Sequence, residues 1–99
     1  MMAVAAFALA IGNVRADTIN RFFVGVYDEK DISAVFEMFE AKDAEALAQF
    51  VEQGKGVVLK AGTKVTFVDL HGLLAEHTKV RVRGSAQGVW LPSEFVTHN

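Results

Sequence analysis

The chain has 99 residues, of which 52% are hydrophobic and 22% are charged, with one proline and no cysteine. This composition is typical of one compact globular domain and excludes a disordered chain, which combines low hydrophobicity with high net charge. The lack of cysteine excludes disulfides, thiolate metal sites, a catalytic thiol and a lipid-modified N-terminal cysteine.

Residues 1–16 have the pattern of a secretory signal peptide. Ala3 to Ile11 is an unbroken apolar run of nine residues, which is too short for a bilayer core that needs about 20. Val14 and Ala16 satisfy the small-residue rule of signal peptidase sites. We therefore expect cleavage after Ala16 and a periplasmic or secreted protein that meets the membrane only through this signal. The other interpretation of the run is a buried N-terminal helix or strand.

Charge divides the remaining chain into two parts. Residues 17–53 contain three basic and nine acidic side chains, a net charge of −6, whereas residues 54–99 contain six basic and three acidic ones, a net charge of +3. Two explanations are open: the acidic part packs near the basic part, or a basic face meets an anionic polymer.

Residues 17–55 are predicted to be an acidic, mainly helical segment. A strand over Arg21 to Tyr27 is indicated by its aromatic and β-branched content. Asp31 and Asp43 are the expected N-caps of two helices, and Gly54 is the expected end of the second. Apolar residues at helical spacing follow each cap: Ile32, Val35, Phe36 and Phe39, then Leu47, Phe50 and Val51.

From residue 56 onward the apolar pattern changes to a period of two, which predicts strands. The predicted strands are Val57–Leu59, Lys64–Leu70, Lys79–Arg83 and Val89–Leu91. Glycine-containing turns separate them, and no long helix intervenes. Short strands in this arrangement indicate a small barrel that closes on itself.

The C-terminal segment carries a family resemblance. Gly88-Val89-Trp90-Leu91-Pro92-Ser93-Glu94-Phe95-Val96, together with Leu59-Lys60-Ala61-Gly62-Thr63-Lys64-Val65, resembles the bacterial SH3-like family over about residues 56–97. The resemblance implies a strand that runs through aromatic-x-Pro into a one-turn 3₁₀ helix and a final short strand. We therefore expect an α+β fold, in which the helical pair packs on a five-stranded SH3-like β-barrel (residues 56–99) and forms one compact domain with it.

The same resemblance suggests ligand-binding residues. Trp90, Pro92 and Phe95 match the aromatic, proline and aromatic positions that form part of the groove of peptide-binding SH3 domains. If Val89 and Leu91 point into the barrel, Trp90 points outward and marks a contact surface. The alternative is that the N-terminal helices cover Trp90 as part of an extended core.

Lys79, Arg81 and Arg83 form a basic stripe along one face of their predicted strand, and they complete the set of candidate ligand-binding residues. The stripe can meet an anionic ligand, remain a solvated face, or pair with carboxylates of the helices. Predicted export and an acidic net charge argue against nucleic acid as a partner.

No residue pattern predicts catalysis. His71, His77 and His98 lie near Asp69 and Glu76, but their spacing matches no recognised set of metal ligands. No nucleophile elbow or phosphate-binding glycine loop is present. We therefore expect no enzyme activity, no cofactor and no metal.

The sequence favours a non-catalytic binding or interaction module of the cell envelope, with peptidoglycan or an envelope protein as its ligand. The alternative is a small exported accessory subunit or protein inhibitor that uses the barrel as a scaffold. The position of exposed apolar surface separates the two hypotheses. A groove around Trp90 favours the module, and an apolar patch on the helices favours the subunit.

Overall fold

The computed structural model describes residues 17–98, so the predicted signal peptide lies outside the described residues. The strands are β1 (Asp17–Ile19), β2 (Phe23–Val26), β3 (Gly56–Leu59), β4 (Lys64–His71), β5 (His77–Val82), β6 (Gly88–Pro92) and β7 (Val96–Thr97). The helices are α1 (Ile32–Glu40) and α2 (Ala44–Glu52), with 3₁₀ turns at Glu29–Asp31 and Ser93–Phe95. Neither α1 nor α2 has the length and hydropathy needed to cross a lipid bilayer.

The seven strands form one antiparallel sheet in the order β3-β2-β6-β5-β4-β1-β7. The expected five-stranded SH3-like barrel is therefore wrong, because this sheet is open, with β3 at one end and β7 at the other. The sheet has seven strands instead of five because the acidic segment contributes two of them. Strand β2 lies between β3 and β6, and β1 pairs with β4 and β7.

The two predicted helices are present, and local hydrogen bonds define their ends. Asp43 caps α2, since its carboxylate accepts the Ala46 N–H at 3.0 Å. Gly54, with φ of 77°, ends α2 as predicted. The predicted Asp31 cap is wrong: Asp31 makes no side-chain cap bond, because a preceding 3₁₀ turn capped by Asp28 leads directly into α1. The junction between the helices is a tight turn in which Lys42 has φ of 56°.

The predicted strands agree with β2 to β6, apart from shifts of a few residues at their ends. The one-turn 3₁₀ helix and the final short strand that the resemblance implied are present at Ser93–Phe95 and Val96–Thr97. Strand β1 was not predicted, because its three residues are too few to show a periodic pattern.

The core lies on both faces of the centre of the sheet, since every residue of β2 is buried and four of the five residues of β6 are buried. Helix α1 contacts β2 and β6, while α2 contacts β3. The buried apolar side chains are Ile19, Phe23, Val24, Val26, Ile32, Val35, Phe50, Leu59, Val65, Val80, Val89, Trp90, Leu91, Phe95 and Val96. On the helical side, Phe23 packs against Phe36 and Phe39 of α1 and against Phe95 of the C-terminal 3₁₀ turn.

Candidate functional site

Trp90 is only 6% exposed. It lies opposite Val26 on β2 and opposite Lys79 on β5. The ring centroid of His71 is 4.3 Å from that of Trp90, and the Lys79 Nζ lies 5.8 Å from the ring centroid. The indole is thus covered by neighbouring side chains, and it forms no open groove.

Pro92 and Phe95, the other two positions of the expected groove, are also buried. The Phe95 ring packs edge-on against Phe23 at a centroid separation of 5.0 Å. The guanidinium carbon of Arg21 lies 4.8 Å from the Phe95 ring centroid, which is a cation–π distance. The three residues therefore serve the packing of the domain, and a ligand meets at most the edge of Phe95.

The basic stripe is divided by the tertiary structure. Lys79 is half-buried, with its ammonium over Trp90, and its side chain lies next to Gly88. Arg81 and Arg83 are exposed and form no ion pair with any other residue of the described chain. The positive charge available to an external ligand therefore comes from the end of β5 that is far from the β4–β5 turn.

A carboxylate clamp joins the 3₁₀ turn before α1 to the β4–β5 hairpin. The Glu29 Oε1 lies 2.8 Å from the Nδ1 of His71, and the Glu29 Oε2 lies 2.7 Å from the Nδ1 of His77. Asp69 Oδ2 is 3.1 Å from the Nε2 of His71. The sequence placed both histidines near Asp69, but it gave no sign of Glu29, which is 42 and 48 residues away.

The carboxylate clamp shifts the pKa of Glu29 and the pKa of His71. The hydrogen bonds from His71 and then His77 lower the pKa of Glu29, since both favour the carboxylate. The hydrogen bond to Glu29 raises the pKa of His71. Within residues 17–98 no group of histidines and carboxylates is arranged to hold a metal ion. The carboxylate clamp thus links the helical segment to the β4–β5 hairpin through hydrogen bonds between Glu29 and the two histidines.

An apolar groove lies between α2 and the β2–β3 edge of the sheet. Its volume is about 440 Å³. Its lining residues are Phe22, Val24, Ala44, Leu47, Ala48, Val51, Glu52 and Val58. Phe22 and Val58 are 49% and 40% exposed, so both contribute apolar surface to the groove. We call this site the α2 groove.

A smaller aromatic pocket of about 240 Å³ adjoins the α2 groove and shares Phe22 with it. The remaining lining residues are Arg21, Phe23, Phe36, Phe39, Glu40 and Phe95. Phe23 and Phe39 are stacked at 5.0 Å, and Phe22 meets Phe39 edge-on at 5.6 Å. The groove and the pocket therefore meet at Phe22, and Arg21 and Glu40 make the pocket the more polar of the two.

A second apolar feature is the turn between β4 and β5, residues 72–76, which we call the hairpin tip. Leu73 and Leu74 are 97% and 81% exposed. The turn is nevertheless held in place, because Glu76 Oε1 accepts the Leu74 N–H at 3.1 Å. The Ser93 hydroxyl donates to the Ala75 carbonyl at 2.6 Å. The tip therefore presents two leucines to solvent on a backbone that is already ordered.

The carboxylates of α1 and α2 lie on the surface of the domain. Glu37, Glu40, Glu45 and Glu52 are exposed, and the ion pairs in the described part of the chain include none of them. The explanation that the helical acids pair with the basic stripe inside the domain is wrong for these residues. The helix carboxylates and the basic stripe therefore remain available to partners outside the domain.

Comparisons of the chain with protein-family models, with curated proteins and with solved structures found no match.

Proposed function

We propose that this chain is a non-catalytic, exported accessory subunit that binds another protein of the cell envelope through the α2 groove. The observation that carries this proposal is the position of exposed apolar surface. Exposed apolar side chains line a groove on the helical side, at Phe22 and Val58, as well as lying on β4 and the hairpin tip, while Trp90 is buried. The sequence analysis associated a groove around Trp90 with a wall-binding module, and an apolar patch on the helices with an accessory subunit. The observed position therefore favours the subunit.

The physical basis is the cost of leaving such a surface in water. Burial of apolar area is worth about 25 cal/mol per Å², and contiguous exposed apolar patches on soluble domains usually mark interaction sites. The groove walls are aliphatic and aromatic, with Glu52 at the rim. Protein interfaces have this composition, an apolar centre with a polar edge.

Peptidoglycan remains a second candidate ligand, and one observation favours it. Arg81 and Arg83 are exposed and form no ion pair within residues 17–98, so an anionic polymer can approach them. This attraction is electrostatic and falls with salt, whereas groove binding is apolar and persists. Salt dependence therefore separates the two candidates.

The test is site-specific photo-cross-linking in cells that produce the protein. A photoreactive residue at Val58, in the groove, is expected to give a discrete adduct with another protein. The same residue at Ala86, in the exposed turn between β5 and β6, is the matched control and is expected to give none. Equal adducts at both positions, or none at Val58, would overturn the proposal.

Co-sedimentation with purified peptidoglycan is the companion measurement. Pelleting that disappears in high salt and in the Arg81→Ala/Arg83→Ala variant, with no adduct at Val58, would assign the function to the wall polymer. No pelleting together with an adduct at Val58 is the result expected of an accessory subunit.

A further inference from the structure

Strand β3 is the last strand at one end of the open sheet, so within residues 17–98 the side of β3 away from β2 has no neighbouring strand. The Tyr27 N–H donates to the Lys55 carbonyl at 3.1 Å. The β2–β3 register continues from this pair and places Val24 opposite Val58. Successive residue pairs of an antiparallel ladder are hydrogen-bonded alternately. The main-chain groups of Val57 therefore face β2, while the N–H and C=O of Val58 face the free side of β3.

Two other edges within residues 17–98 are poorly suited to accept a strand. Strand β7 has only two residues. Strand β1 pairs with β4 only as far as Val65, and a β-bulge between Phe67 and Asp69 interrupts the rest of that edge. Asp69 Oδ1 also accepts the Leu70 N–H at 2.8 Å. Bulges and charged side chains are devices that prevent pairing at sheet edges. Strand β3, with the sequence Gly-Val-Val-Leu, has neither.

The α2 groove lies on the same face of the sheet as the Val58 side chain. Val24 and Val58 are opposite each other on β2 and β3, and both line the groove. Leu47 and Val51 line it from α2. Side chains of a strand alternate between the two faces of a sheet. A strand added beside β3 therefore places every second side chain on the face that carries the groove.

Charges at the two ends of β3 add a constraint on the occupant. Glu52 lines the groove, is exposed, and belongs to none of the ion pairs within residues 17–98. It lies near the start of β3, since three residues separate it from Gly56. The exposed Lys60 follows the other end of β3. Lys55 pairs with Tyr27, so alternation places its side chain on the face away from Val58. A complementary segment carries a basic residue near Glu52 and an acidic residue near Lys60.

We propose that the α2 groove takes an extended segment of the partner protein, which pairs with the free side of β3 as an eighth strand of the sheet. The inference rests on the proposed function, because it states the form in which the partner occupies the same groove. Main-chain hydrogen bonds to Val58 supply affinity, and the groove selects apolar side chains at every second position of the segment.

Val58→Pro tests the main-chain contact. Proline lacks the N–H that faces the free side, and the β2–β3 hydrogen bonds stay in place because Val58 donates none of them. Val58→Ala is the matched control, since it also shortens the side chain but keeps the N–H. A photoreactive residue at Ala48, an exposed groove position on α2, reports occupancy in cells. The adduct yield at Ala48 is expected to fall at least about tenfold in Val58→Pro, because a partner carbonyl is left without its donor. It is expected to fall clearly less in Val58→Ala.

Mass spectrometry of the Ala48 adduct identifies the attached peptide of the partner. We expect apolar residues at alternate positions and a basic residue in this peptide. Apolar residues at spacings of three and four would show a bound helix and would overturn the inference. An adduct yield in Val58→Pro equal to that of wild type would overturn it as well, and the proposed function would stand. An adduct with a second copy of the chain, or no adduct at Ala48 and Val58, would overturn both.

Hydrogen exchange gives a check that does not depend on the folding of a variant. In the free protein the Val58 amide is expected to exchange faster than the Val57 amide, whose N–H faces β2. In the purified Ala48 adduct the Val58 amide is expected to exchange at least about tenfold more slowly than in the free protein. Unchanged exchange of Val58 in the adduct would show that the partner does not pair with β3, and would overturn the inference.

Discussion

The imidazole of His71 lies against the indole of Trp90, at a centroid separation of 4.3 Å, and so covers part of the indole. Glu29 holds the imidazole in this position through its hydrogen bond to Nδ1. The burial of Trp90 thus depends on a turn that is distant in sequence. Trp90, which was a candidate ligand-binding residue in the sequence analysis, therefore belongs to the core.

Replacement of Trp90 by alanine is expected to destabilise the domain rather than to abolish a contact with a ligand. Removing a buried tryptophan costs about 3–5 kcal/mol in the free energy of unfolding. Urea denaturation followed by circular dichroism measures this loss. Arg83→Ala, at an exposed position, is the control and is expected to change stability by less than about 0.5 kcal/mol. A Trp90→Ala variant as stable as this control would contradict the buried position.

The clamp predicts a stability maximum at mildly acidic pH. The pKa of His71 is raised from its ordinary value of 6.5, so its contribution is fully present below pH 6.5 and is lost as pH rises through the folded-state pKa. The pKa of Glu29 is lowered from 4.5, so its contribution is present above pH 4.5 and is lost as pH falls through the folded-state pKa. The melting temperature is therefore expected to be highest between these two values.

Thermal melts from pH 3 to pH 8 check this expectation, with Glu29→Gln as the matched variant. The glutamine keeps the size of the side chain and removes the charge that both histidines contact. Wild type and Glu29→Gln are expected to differ most between pH 4.5 and 6.5. A constant difference across the whole range would show that the clamp does not contribute through its charge.

Gly25 is required by close packing in β2. A Cβ atom at this position would lie 2.7 Å from Val89 Cγ2 and 2.9 Å from Leu59 Cδ1. Gly25→Ala is therefore expected to cost about 1–3 kcal/mol through overpacking. In Gly25→Ala/Val89→Ala the smaller neighbour makes room, so the two changes are expected to cost less together than the sum of the single variants. Simple additivity in denaturation experiments would exclude the clash as the cause.

The two aspartates that precede the helices are expected to differ in their contribution to stability. Asp43 accepts a hydrogen bond from the Ala46 N–H, so Asp43→Ala is expected to cost about 0.5–2 kcal/mol. Asp31 makes no such bond, so Asp31→Ala is expected to cost clearly less. Chemical denaturation of both variants compares them directly, and equal losses would show that the Asp43 bond is not the stabilising feature.

Much of the local structure was predictable from the sequence. Helical spacing of apolar residues, Asp43 and Gly54 gave α1 and α2, and the period of two gave β3 to β6. These signals are local, since each depends on residues within one or two turns or along one strand. The basic stripe was also visible, but its division between Lys79, held over Trp90, and the exposed Arg81 and Arg83 was not.

The α2 groove was less predictable. Phe22 and Val58 come from segments that are 36 residues apart in the sequence, and they become neighbours only because β2 pairs with β3. The exposure of Leu73 and Leu74 could not be predicted from the sequence either. An apolar pair in a turn has no periodic pattern that assigns it to the surface or to the core.

By itself, the sequence determined the two helices, their tight junction and the run of short strands, because caps, glycine turns and residue spacing act over a few positions. Only the tertiary structure decided that the sheet stays open, that β2 lies between β3 and β6, and that Glu29 holds two histidines. The physical reason is that pairing between distant strands uses main-chain hydrogen bonds, and every residue type has the groups for them except that proline lacks the N–H donor. The choice of partner strand then depends on which arrangement buries the most apolar surface.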